Sequence, residues 1–164
     1  MFIWFAVMSV VLTFVVFQSP AIDYRLVALG AVLPVAEVPF GNGPLHSLAA
    51  PTVVLVVVML ATSGRRLVRR RWLGVPIGMY LHLVLDLSWT RAEVFWWPVT
   101  GLGIEWETAP VLDRGIWSVL MDGVAVLIGL WAFRRAGLED PELRRRFLRS
   151  GQLDRSVVRG TGGR

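Results

Sequence analysis

The chain has 164 residues, 55% of them hydrophobic, with eight tryptophans, no cysteine and a mean hydropathy of +0.59. Without cysteine there are no disulfides, thiolate metal sites or catalytic thiols, so a metal here must rest on histidine and carboxylate ligands. The charge of +5 comes entirely from arginine, with five in 65–71 and nine in 134–164; this clustering matches the positive-inside bias of a membrane protein, and no module for reading bases or phosphates supports a nucleic-acid partner.

In chain order, the apolar run Met1–Phe17 ends at Gln18-Ser19-Pro20. It lacks a charged leading region and a small-residue cleavage site, so it reads as an uncleaved first span. Asp23-Tyr24-Arg25 opens a second segment, Leu26 to Phe40, with Asp23 placed to cap a helix N-terminus. Gly30, Pro34 and Pro39 interrupt that segment around Glu37. Proline lacks an N–H and disfavours helix in the residue before it, which predicts a kinked or re-entrant segment.

Gly41-Asn42-Gly43-Pro44 reads as a turn. Leu45-His46-Ser47 then opens a third span to Ala61 or Thr62, which ends at the basic run RRLVRRR. A fourth apolar run extends from Trp72 to about Trp89 and carries His82 and Asp86, four residues apart on one predicted helix face. Ionisable groups inside such a run are costly and point to function. The tryptophan-rich stretch 92–106 reads as interfacial. Ile116–Phe133 is a fifth span with Asp122 near its start. The expected fold is an all-α polytopic integral membrane protein of four or five segments. Residues 1–133 form its transmembrane domain, and 134–164 form a cytoplasmic, arginine-rich tail that is partly disordered.

With the arginines inside, the turn at 41–45 and the loop at 90–115 face outward. Asp86 then lies roughly 9 Å below the outer end of its helix and His82 about 6 Å deeper. Glu37, His46 and Asp122 reach the same outer half from three other segments. Two imidazoles and several carboxylates suit zinc, with manganese or iron also acceptable. The expected ligand set is Glu37, His46, His82 and Asp86, with Asp122 as a supporting partner or general base and Asp86 as a second candidate for that role. A divalent ion with an open position activates water near neutral pH. The alternative is an interhelical polar cluster in a non-enzymatic complex subunit or small transporter.

The stretches LPVAEVPFG (33–41), GPLHSL (43–48) and GMYLHLVLDLSWTRAEVFWWPVTG (78–101) resemble the YdjM-type family of predicted membrane-bound metal-dependent hydrolases. The resemblance covers about residues 23 to 103 and implies roles for Glu37, His46, His82 and Asp86. The chain departs from the family at Val35, where the first acid of the acidic stretch usually stands, which speaks against a two-metal site and leaves a mononuclear or an inactive one. The function expected from this is hydrolysis of a lipid or lipid-linked ester or phosphodiester at the outer leaflet of the inner (plasma) membrane. Membrane lipids are the expected surroundings and the C-terminus the cytoplasmic end.

Overall fold

A computed structural model describes residues 1–40, 43–101, 103 and 115–153. All regular structure among them is helical. The helices are α1 (Phe2–Phe17), α2 (Tyr24–Val32), α3 (Ala49–Ala61), α4 (Arg66–Trp72), α5 (Gly74–Leu85), α6 (Ala92–Phe95), α7 (Ile116–Arg135) and α8 (Pro141–Ser150). Among the described residues, only α7 is long and apolar enough to cross a membrane; α1 and α3 are shorter apolar helices. The fourth predicted run forms α5 over Gly74–Leu85, set off by a turn at Leu73 from the arginine-bearing α4.

The second segment breaks where its prolines require it. Helix α2 gives way at Leu33, before Pro34, to a 3₁₀ segment over Leu33–Phe40. Asp23 caps α2 as expected, its Oδ1 accepting from the Arg25 N–H at 3.1 Å. The turn at 41–42, Trp106 and the predicted disorder of the tail's last ten residues lie outside the described residues.

The centre of the molecule is the contact between α2 and α5, which run side by side in the same direction. Glycine makes this approach possible. A Cβ on Gly78 would stand 2.1 Å from the Val27 carbonyl oxygen, and one on Gly30 would stand 2.0 Å from that of Val75. Small residues at a helix crossing bring backbones together where larger ones hold them apart. Helix α1 packs antiparallel against this pair and carries α7 on its other side, while α3 lies against α5. A hydrogen bond between Thr52 Oγ1 and Tyr80 Oη, 2.9 Å, ties α3 to α5.

The bundle thus has two distinct ends. At one, Asp23 is fully buried and takes hydrogen bonds from Arg25 and from Arg71, the latter at 2.8 Å. Burial alone would raise its carboxyl pKa; the hydrogen bonds from Arg25 and Arg71 outweigh that and hold it below the usual carboxylate range. The tail docks at this end and is not independent of the bundle. The Tyr24 N–H donates to the Gly151 carbonyl (2.8 Å), Arg25 Nη1 to that of Leu148, and Gln152 Nε2 to that of Ala21. At the other end α1 begins, the 3₁₀ segment runs, and α5 finishes.

Candidate metal-binding site

His82 sits one turn beyond Gly78, so the glycine contact carries its ring onto α2. Its Nδ1 lies 2.7 Å from the Ala31 carbonyl oxygen. A carbonyl can only accept, so this nitrogen carries the hydrogen and Nε2 is left as the lone-pair nitrogen. The Phe5 ring of α1 packs 4.2 Å from the imidazole, centre to centre. His46 closes a short 3₁₀ turn, Pro44–His46, and its ring meets that of His82 edge-on at 5.3 Å.

Asp86 ends α5. Leu87 follows with φ +58, a left-handed conformation that costs a branched residue roughly 1–2 kcal/mol. The reversal turns the chain back on the carboxylate, so that Ser88 Oγ (3.1 Å) and Arg91 Nη2 (2.8 Å) both donate to Asp86 Oδ2. One ligand atom each from His46, His82 and Asp86 lies within 4.8 Å of the others, and all three residues are at most 2% exposed.

Glu37, expected as a ligand, and Asp122, expected as a supporting partner or general base, both lie outside the three-residue cluster. Glu37 lies behind His46. Its carboxylate accepts from the backbone N–H groups of Gly43 and Leu45 and lies 3.2 Å from His46 Nδ1. Two N–H groups of the turn need an acceptor, and Glu37 supplies it while orienting the ring. It therefore stands outside the three-residue cluster. Asp122 is not at the cluster at all. Its carboxylate accepts from the Trp4 N–H (2.9 Å) and pairs with the Met1 amino nitrogen (2.7 Å), satisfying the start of α1. Helix α1 stands between α7 and α5, so a carboxylate at the right depth on α7 meets the wrong neighbour.

The donor set suits a divalent ion. Ligands held ~2.0–2.2 Å from one tetrahedral ion stand about 3.3 Å apart, and the ligand atoms of the three residues lie within 4.8 Å of one another. Each imidazole also has the outer partner that ligating histidines need, a carbonyl for His82 and a carboxylate for His46. Sequence reading missed Arg91, which brings a guanidinium to the edge of the cluster. The signal was an acid followed by Ser88 and Arg91 across a turn, at the outer end of the fourth run.

The fold and the site together define an all-helical protein with a buried His-His-Asp cluster at one end of the bundle. No family model matches the chain, and no solved structure matches it. It is similar in part to apolipoprotein N-acyltransferase of Gloeobacter violaceus, with 33% identity over 100 residues. The match takes in 56% of this chain but only 18% of that relative's length.

Proposed function

We propose that this is a polytopic membrane protein whose His46–His82–Asp86 cluster binds a divalent metal, zinc first, and hydrolyses an ester or phosphodiester bond of a lipid or lipid-linked substrate. The observation that carries this reading is the preparation of both imidazoles: each Nδ1 is anchored to an acceptor, beside a buried carboxylate. A bound ion supplies Lewis-acid polarisation and lowers the pKa of water. The chain's own part is to hold the rings through Ala31 and Glu37, to exclude water with Phe5, and to balance Asp86 with Arg91 and Ser88.

The membrane reading draws on several features together. The apolar faces of α1, α3 and α7 are exposed, with Val16, Leu60, Val119 and Leu127 all at least two-thirds accessible. Successive long elements α1, α2, α3, α5 and α7 alternate in direction between the two ends, as spanning segments do. The arginines of α4 and those after α7 gather at the end opposite the cluster, which supports a cytoplasmic C-terminal helix and a cluster in the outer half. The partial likeness to an enzyme named for acyl transfer to an apolipoprotein supports a lipid-linked substrate. Membership of the YdjM-type family belongs to the same proposal and rests on the HxxxD helix and its tryptophan-proline-glycine sequel.

The test is metal content of protein purified in detergent without chelator, beside a His82→Ala/Asp86→Ala double variant. Stoichiometric metal in the wild type and none in the variant supports the site. Release of head group from labelled lipids then separates an enzyme from a binding protein. Equal metal in both proteins would end the proposal. The Asp86–Arg91 ion pair, 2.8 Å, favours a second reading, a polar cluster that joins helices in a subunit or small transporter. That reading expects no metal in either protein.

A further inference from the structure

We infer that Arg91 is the anchor for a phosphate group carried by the ligand of this site, so that the substrate class narrows to phosphate esters; this rests on the metal-site reading above. Arg91 is only half used by the fold. One arm of its guanidinium, Nη2, donates to Asp86 Oδ2, while the other, Nη1, is buried and has no hydrogen-bonding partner among the described residues. A buried guanidinium nitrogen at the edge of a His-His-Asp cluster is a donor waiting for an acceptor, since buried polar groups are as a rule paired. The planar fork suits a phosphate oxygen better than a neutral carbonyl.

A cavity of about 320 Å³ lies between Gly43 and Pro44, which lead into the His46 turn, and Glu93, Val94, Trp97 and Thr100, which follow Arg91 in the chain; Arg91 and the three cluster residues are not part of its lining. The two walls are pinned together by the Leu48 N–H donating to the Phe95 carbonyl, 2.9 Å. Arg91 immediately precedes the helix that supplies Glu93 and Val94. Trp97, on the cavity wall, contributes a second buried and unpartnered donor, its indole Nε1. A phosphate straddling the cluster and Arg91 would have one oxygen towards the cation and another on Nη1. Asp86 lies between the two positive partners, which lets one carboxylate steady both.

This predicts a coupling that a merely structural arginine would not produce. Zinc binding is measured at micromolar metal on detergent-solubilised protein, with and without millimolar inorganic phosphate, and phosphate binding alone is followed by phosphorus NMR line width. In the wild type, phosphate tightens zinc binding about tenfold, within the usual range of site–site coupling. The coupling is read in each protein as the ratio of zinc affinities with and without phosphate, so that a change in basal zinc binding through Asp86 cancels; Arg91→Gln loses the coupling, Arg91→Lys keeps part of it, and Trp97→Phe weakens it. Equal coupling in wild type and Arg91→Gln, or wild-type zinc binding that phosphate leaves unchanged, overturns the proposal. If zinc fails to bind while phosphate still broadens in an Arg91-dependent way, the metal reading fails and the anion site stands. If neither binds, both fail. Should Arg91→Gln misfold, the Arg91→Lys and Trp97→Phe pair gives the same decision.

Discussion

Replacing Gly78 by alanine tests whether the close approach of α2 and α5 builds the site. The new Cβ would stand 2.1 Å from the Val27 carbonyl oxygen and 2.7 Å from the Ala31 nitrogen. Carbon–oxygen contacts between backbones settle near 3.3 Å, so the helices must part by about an ångström. Both atoms that press back are backbone, and no rotamer change relieves them. The His82–Ala31 hydrogen bond, 2.7 Å, spans the same crossing one turn further on and cannot survive that separation. Overpacking of this kind costs ~1–3 kcal/mol, and a ligating histidine that loses its outer partner costs roughly 10–100-fold in metal affinity. Thermal melting in detergent and zinc titration of Gly78→Ala read the two effects separately. The expected result is a lower melting temperature with zinc affinity reduced at least tenfold. Wild-type values for both would refute the link between helix spacing and the histidine; a lowered melting temperature with wild-type affinity would leave the packing argument and remove the link.

Glu37→Ala strips His46 of its Nδ1 partner and leaves the Gly43 and Leu45 N–H groups without their acceptor, so zinc affinity should fall roughly tenfold or more; unchanged affinity in a zinc titration would show that the turn holds the ring unaided. Asp122→Ala removes the acceptor at the start of α1 and should cost about 1 kcal/mol with zinc binding unaltered, so a change in metal affinity would return Asp122 to the site. Because the Asp23 carboxyl is held below its ordinary value of 3.8, its stabilisation is fully present above that value and is lost as pH falls through the lower, folded-state value. Asp23→Asn should therefore be less stable at neutral pH and flatter than wild type on the acid side of 3.8, as measured by melting temperature against pH.

Some of this architecture can be read from single residues, and some depends on what lies beside them. Asp23 ahead of an apolar run is a capping signal that needs only local backbone, and the structure has that cap. Pro34 breaks α2 wherever α2 packs, because its missing N–H and ring act on the chain itself. The HxxxD spacing puts His82 and Asp86 on one turn of α5 for equally local reasons. Glu37 is different. Its distance along the chain from His46 suits a ligand or a supporting acid, and the choice falls to two turn N–H groups that no hydropathy pattern reveals. Asp122 shows the same limit sideways: arginine counting yields a depth, while the identity of the neighbouring helix is a packing result. Arg91 was hidden because the turn at Leu87, not the helix, returns it to Asp86.

Helix length bears on how such a site would meet its substrate. At 1.5 Å per residue, α1 is about 24 Å long and α3 about 20 Å, against a hydrocarbon core of ~30 Å. If the bundle spans a bilayer as proposed, α1, α3 and α5 are too short for that core without local thinning, and α7, among the described residues the one helix of spanning length, lies on its flank. Such thinning would draw head groups inward toward the end of α5. His82, packed under Phe5, and Asp86 would then be buried by protein rather than deep in hydrocarbon, which would lower the cost of placing ionisable ligands inside an apolar run. On the proposed reading, the shortness of the helices would serve the function, because it would bring the bond to be cut to the residues that would cut it.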